Sequence, residues 1–143
     1  MAMASEIIHE IETAYHAYND AFHREDIAGV VSYLSAPYHT TIGGGLPDIT
    51  ETDEGNFKKF ERSLAGMKSQ GWARSDVNIV AIWPLSENHA YLMADVERVK
   101  TDGSLMNKGR YIYAFRRGGP SWQMCGVTDV QDPFLGPENL AKG

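Results

Sequence analysis

One cysteine, Cys125, is the only thiol in this chain of 143 residues. It excludes an internal disulfide and cannot build a thiolate metal site alone. No apolar run approaches the roughly 20 residues that a membrane-spanning helix needs, so no membrane partner is expected. Basic charge is sparse: 13 Lys and Arg stand against 19 Asp and Glu, a formal net charge of −6. Only Lys58-Lys59 and Arg116-Arg117 are adjacent, and neither extends into a stripe. A nucleic-acid binder engages phosphates with a concentrated basic face, so that partner class is excluded as well. The opening Met1-Ala2-Met3-Ala4-Ser5-Glu6 has no basic flank or long apolar core, and no signal peptide is expected. These absences together give a cytoplasmic expectation.

Reaction signatures are missing too. Gly43-Gly44-Gly45 lacks the following Lys-Ser/Thr of a phosphate loop. His9, His16 and His23 repeat every seven residues, whereas ligands on one helix want spacings of three or four. Acidic neighbours such as Glu12 and Asp20 make a solvated charged stripe of them. No Ser-His-Asp or Cys-His arrangement stands out. No metal or cofactor is expected.

What is present is an ordinary globular composition, 43% hydrophobic and 22% charged. The length suits one domain, 1–143, with its core over about 5–130 and an irregular tail over 131–143. Ser5 is the expected N-cap of a helix reaching about Arg24. Ile8, Ile11, Tyr15, Tyr18 and Phe22 recur along it at spacings of three and four. Asp26 caps a short second helix with Ile27, Val30, Val31 and Leu34 on its buried side. Pro37 is expected to end the helical region, and 38–42 reads as a strand. Gly43 to Asp48 reads as a mobile break. Thr52 or Asp53 starts a third helix bearing Phe57, Phe60, Leu64 and Met67, and Gly71 stops it. Four strands follow, over about 73–83, 90–99, 105–116 and 122–130. The order gives an α+β fold: a curved antiparallel sheet wrapped over about three N-terminal helices.

The hairpin from Ala90 to Phe115 can be read pair by pair. With Asp102-Gly103 at its tip, Asp95 faces Arg110 and Glu97 faces Lys108 on one face. On the other face Ala94 meets Tyr111, Leu92 meets Tyr113 and Ala90 meets Phe115. Charge meets charge and small meets aromatic, and a one-residue slip would ruin both sets. The charged pairs therefore belong outside, and the tyrosines inside.

Two stretches carry a resemblance to a known family. They are 24–31 (Arg-Glu-Asp-Ile-Ala-Gly-Val-Val) followed by Tyr38, and 113–124, from Tyr113 through Arg116-Arg117-Gly118-Gly119 to Met124. Together the pattern resembles the nuclear transport factor-like superfamily, with its SnoaL-like cyclases, ketosteroid isomerases and limonene epoxide hydrolases. The resemblance implies a cone-shaped half-barrel with a deep pocket, and a homodimer formed through the sheet. It makes Tyr18 the counterpart of the isomerases' pocket tyrosine. Their aspartate base falls on Ile42, and their oxyanion-stabilising acid near Tyr111. Tyr38 and Thr40 stand where the epoxide hydrolases use a tyrosine and an asparagine, but no Arg-x-Asp follows in the strands; Lys108-Gly109-Arg110 is there instead. The histidines of many SnoaL-like relatives fall on Gly126 and Thr128. By this resemblance the pocket has lost the charged groups of the known catalysts.

The expected ligand-facing residues are therefore Tyr38, Thr40, Tyr111 and Tyr113, in an apolar pocket with a few polar tips. Tyr18 is either a core aromatic or a donor to a ligand oxygen. Asp129, at the end of the last strand, faces either way and is the candidate base if the domain is catalytic. The expected function is binding of a small hydrophobic organic molecule, with proton transfer on a carbonyl compound as its enzymatic form. The alternative is a non-catalytic dimeric assembly domain, suggested by Tyr91, Met93 and Ile112 on the charged face of the hairpin.

Overall fold

The computed structural model describes residues 3–131. Along the chain run α1 (Ala4–His23), α2 (Ile27–Ser32), β1 (Leu34–Thr41), β2 (Asp48–Thr50) and α3 (Asp53–Ser69). Then come β3 (Trp72–Ser86), β4 (His89–Lys100), β5 (Leu105–Arg117) and β6 (Trp122–Val130). The expected irregular tail, from residue 132 onward, lies outside the described residues. No helix among the described residues is long and apolar enough to cross a membrane.

Helix α1 buries Ile7, Ile11, Tyr15, Tyr18 and Ala21. Its stripe is turned slightly from the expected one, since Ile8 and Phe22 are only half-buried. Ala21 takes the inner position because α2 crosses close by: a Cβ on Gly29 would stand 3.3 Å from the Ala21 Cβ. The helix begins at Ala4 instead of capping on Ser5, with the Glu6 carboxylate accepting from the Met3 backbone N–H at 3.4 Å. A glutamate in the first turn makes this return bond. The other caps are as expected. Asp26 accepts from the Gly29 N–H at 2.9 Å and Thr52 from the Gly55 N–H at 3.0 Å. Gly71 leaves α3 at a φ of 96°, where a Cβ would be strained.

The six strands lie in the order β2-β1-β6-β5-β4-β3, a curved, open sheet with the helices packed on one face. Neighbours are antiparallel except β1 and β6, which run parallel. The curved antiparallel sheet is as expected, with one parallel seam: β3 to β6 alternate direction, and the last arrives running the same way as β1. Pro37 sits inside β1 and does not end the helical region, which stops at Ser32. It falls where the β1–β6 pairing is interrupted, between Leu34 and His39, so its missing N–H removes no ladder bond. Pro84 likewise lies within β3, an edge strand, so that strand runs on to Ser86. The short β2 was not expected; three residues are too few for alternation to show.

The hairpin is as read. Asp95 pairs with Arg110, Glu97 with Lys108, Ala94 with Tyr111, Leu92 with Tyr113 and Ala90 with Phe115. On the outer face Arg110 Nε and Nη2 donate to the Asp95 carboxylate at 2.6 and 3.0 Å. On the inner face Ala90, Leu92, Phe115, Trp122 and Met124 close against Ile7, Ile11 and Leu34. Full burial of one such side chain contributes roughly 1.5–3 kcal/mol, so this packed end anchors the domain.

Candidate ligand-binding site

The inner face does not fill uniformly. Beyond Tyr113 the sheet, α1 and α3 enclose a cavity of about 280 Å³. Helix α1 contributes Tyr18 and Phe22, and β1 contributes Tyr38 and Thr40, with Ile42 just after it. Helix α3 contributes Lys59, Phe60, Ser63 and Met67, and the late strands contribute Arg98, Tyr111, Tyr113 and Val127. Every residue expected to face a ligand, Tyr38, Thr40, Tyr111 and Tyr113, therefore lines one space together with Tyr18. Strand parity brings them there: Tyr111 and Tyr113 are two apart on β5, and Tyr38 and Thr40 are two apart on β1.

Burial governs the chemistry of these phenols. Tyr18, Tyr38 and Tyr113 all have their hydroxyl pKa pushed up by desolvation. The positive charge of Arg98 pulls Tyr18 the other way and loses. Each phenol is thus a neutral O–H at physiological pH, able to donate a hydrogen bond and unable to serve as a base. Tyr15 stands behind them with no exposure, its hydroxyl beside Tyr113 and Asn19 without a hydrogen bond of normal length among the described residues. It is a core aromatic.

Two residues that sequence reasoning did not place are cations. Arg98 follows Leu92, Ala94 and Val96 on the inner face of β4, so the parity that turned Asp95 and Glu97 outward also turns Arg98 inward. Its Nη1 donates to Asn107 Oδ1 at 3.1 Å and to the Tyr111 hydroxyl at 3.3 Å. Lys59 lies one turn from Ser63 on α3, and its Nζ donates to Thr40 Oγ1 at 2.8 Å and Asp48 Oδ2 at 3.2 Å. The expectation of a pocket stripped of charge is therefore corrected. Among the described residues it has no lining carboxylate but two lining cations.

Asp129 is resolved by the register of β6. A bulge between Ala114 and Phe115 shifts the pairing, so Val127 lies opposite Tyr113 and Asp129 opposite Tyr111. Asp129 thus belongs to the inner side, whereas Gly126 and Thr128, the positions matched to the SnoaL-like histidines, face outward. Its carboxylate does not line the cavity. It accepts from the Gly43 backbone N–H at 3.1 and 3.2 Å, tying down the loop after β1. His39 faces outward as expected, and its ring packs over Gly126, where any Cβ would collide with it. His23 is more than a solvated charge: its Nε2 accepts from the Ser75 N–H at 3.0 Å and its ring stacks on Trp72. Among the described residues no group of His, Cys, Asp and Glu is close enough to hold a metal ion.

A family model described as NTF2-like protein (DUF6841) matches residues 6–132. The chain belongs to this NTF2-like family. An NTF2-like protein of unknown function from Shewanella oneidensis is similar in structure, with a TM-score of 0.70 at 11% identity, covering 87% of this chain and 98% of that one. A domain of unknown function with a cystatin-like fold from Nostoc punctiforme reaches 0.71 at 13% identity, covering 97% and 83%. A ketosteroid isomerase-like protein from Erwinia carotovora reaches 0.60 at 17% identity, covering 85% and 95%. Such low identities establish the fold alone. No curated protein sequence matches significantly. In this NTF2-like chain Ile42, which the resemblance to ketosteroid isomerases puts at the base position, does line the cavity, and it brings no proton acceptor.

Proposed function

We propose that this NTF2-like domain binds a small, largely hydrophobic organic molecule in the cavity between α1, α3 and the sheet. The observation that carries this reading is the convergence of Tyr18, Tyr38, Tyr111 and Tyr113, with Thr40, on one space of about 280 Å³. Aromatic walls supply apolar area, and neutral hydroxyls supply orientation. Binding is favoured over catalysis because the lining holds no carboxylate or imidazole among the described residues. Isomerase- or lyase-type proton transfer on a carbonyl compound would use Tyr18 as oxyanion donor. It would also require Asp129 to leave the Gly43 amide and turn into the cavity. The lone Cys125 fits a cytoplasmic place of action.

Titration with the neutral aromatic 2-naphthol, followed by tryptophan fluorescence, tests the reading. Saturable binding is expected, abolished in Val127→Trp, which fills the cavity. Binding indifferent to that filling would overturn it. An Asp129→Asn variant that slows turnover of any carbonyl substrate would move the reading to the catalytic form.

A second reading concerns the outer face. Trp83 and Tyr91 lie opposite each other on β3 and β4, 40% and 44% exposed, with Leu85 nearby in sequence at 58%. That apolar pair supports a homodimer formed through the sheet. A single monomeric species in sedimentation at micromolar concentration would sink it.

A further inference from the structure

We propose that the molecule held in this cavity is an organic acid, with its ring or alicyclic body among the tyrosines and its carboxylate on the Arg98 guanidinium. The proposal rests on the reading that the cavity takes a small organic molecule, and specifies which class.

Arg98 is held in place without being neutralised. Arg24, Arg74, Arg110 and Arg117 each lie within 4.0 Å of a carboxylate. Arg98 has no such partner among the described residues. Its bonds go to Asn107 and Tyr111, both neutral. Strand β5 is built to allow this. The Tyr111 ring folds back along its own strand over Gly109, where an added Cβ would come within 2.8 Å of the Tyr111 hydroxyl. The missing side chain at Gly109 thus lets that hydroxyl reach Arg98. A guanidinium offers five N–H donors in a planar fork; two bonds fall on Nη1, and the rest of the fork makes no hydrogen bond among the described residues.

Lys59 adds to the field without closing it. Its side chain is 20% exposed while that of its partner Asp48 is 72% exposed, so the compensating charge sits mostly in solvent. The cavity wall therefore presents positive charge and O–H donors, with no acceptor carboxylate among the described residues to compete. In a partly desolvated site such a charge attracts an anion more strongly than it would in water. A phosphate group is the weaker fit, because phosphate sites gather backbone N–H groups at a helix N-terminus. A single planar fork among aromatic walls matches one carboxylate. The volume is just under the roughly 300–1,000 Å³ of drug-sized sites, which suits a body of one or two rings.

The test compares benzoate and 2-naphthoate with their matched amides, benzamide and 2-naphthamide, by isothermal titration on the full chain. The acids are expected to bind about ten- to a hundredfold more tightly, the range of a charge-assisted hydrogen bond to a buried partner. Added salt should narrow the gap, and Arg98→Met should erase it. The wild-type comparison and its salt dependence need no variant, so a poorly folded Arg98→Met would not rescue the idea. Equal binding of acids and amides would overturn this proposal and leave the pocket reading standing. An acid preference that survives Arg98→Met in folded protein would overturn the assignment to Arg98. If no acid or amide binds up to millimolar concentration, both readings fall together.

Discussion

The two ends of one sheet face do opposite things. Toward the β4–β5 ends near Ala90 and Phe115, small residues meet large ones and the space is filled. Toward Arg98 and Asn107 the same two strands carry polar groups, and β5 presents Gly109 where an aromatic would complete the alternation. Parity is unchanged from Ala90 to Arg98; only the side chains change. A periodic pattern thus settles which residues face inward, while the sizes of those residues settle where the interior is solid and where it is hollow. The packed end supports the fold, and the hollow end is free to carry chemistry.

The strongest way to break that comparison is to cut equally into both ends of β4. Leu92 is fully buried at the packed end. Leu92→Ala is expected to lower unfolding free energy by about 2–5 kcal/mol, since a cavity is left among atoms that relax only partly. Arg98→Met at the hollow end should change it by no more than about 1 kcal/mol, because no buried partner is orphaned. Urea denaturation of the two variants decides the matter. Comparable losses would mean that the mouth is as structural as the core.

This division also marks where the sequence was legible. The hairpin register could be read from Ala90 to Glu97 because charge pairs and small–aromatic pairs constrain the same alignment from two faces. Tyr111 and Tyr113 followed from that register. Arg98 follows from it too, by continuing the alternation Leu92, Ala94, Val96, although a charged side chain near a turn resembles solvent charge. Lys59 could not be read that way. A lysine beside Lys58 on a helix resembles solvent charge, and only the packing of α3 over β1 brings its ammonium to Thr40. Asp129 depended on a bulge in β6, and a bulge leaves no mark in hydrophobic alternation. The run of β1 through Pro37 was misplaced for a similar reason: a local signal named a stop that long-range pairing overrode.

A finer probe alters the mouth without touching a charged group. Gly109→Ala places a methyl against the Tyr111 hydroxyl and pushes it away from Arg98. The strand itself should tolerate alanine, so stability is expected to stay within about 1 kcal/mol of the parent. Affinity for an aromatic acid should drop about two- to tenfold, the worth of one weakened hydrogen bond that positions the guanidinium. Calorimetric titration of 2-naphthoate reads the drop. An unchanged affinity would show that Arg98 does not need Tyr111 to hold its place.

The smallest expected effect lies on the opposite face of the same hairpin and follows pH. The Arg110 hydrogen bonds hold the Asp95 carboxyl below its ordinary range, against a smaller opposing effect of burial. A carboxylate whose pKa is lower folded than unfolded stabilises the protein above the unfolded value. That contribution fades as pH falls through the folded value. Asp95→Asn should therefore be less stable than the parent near neutral pH and converge with it in acid. The gap should stay under about 1 kcal/mol, because the Asp95 side chain is 41% exposed and solvent screens the pair. Unfolding in urea at neutral and strongly acid pH measures it. A gap that persisted in acid would assign the effect to packing of the side chain and not to its charge. Acid should therefore weaken the outer face of the hairpin, where the Asp95–Arg110 pair lies.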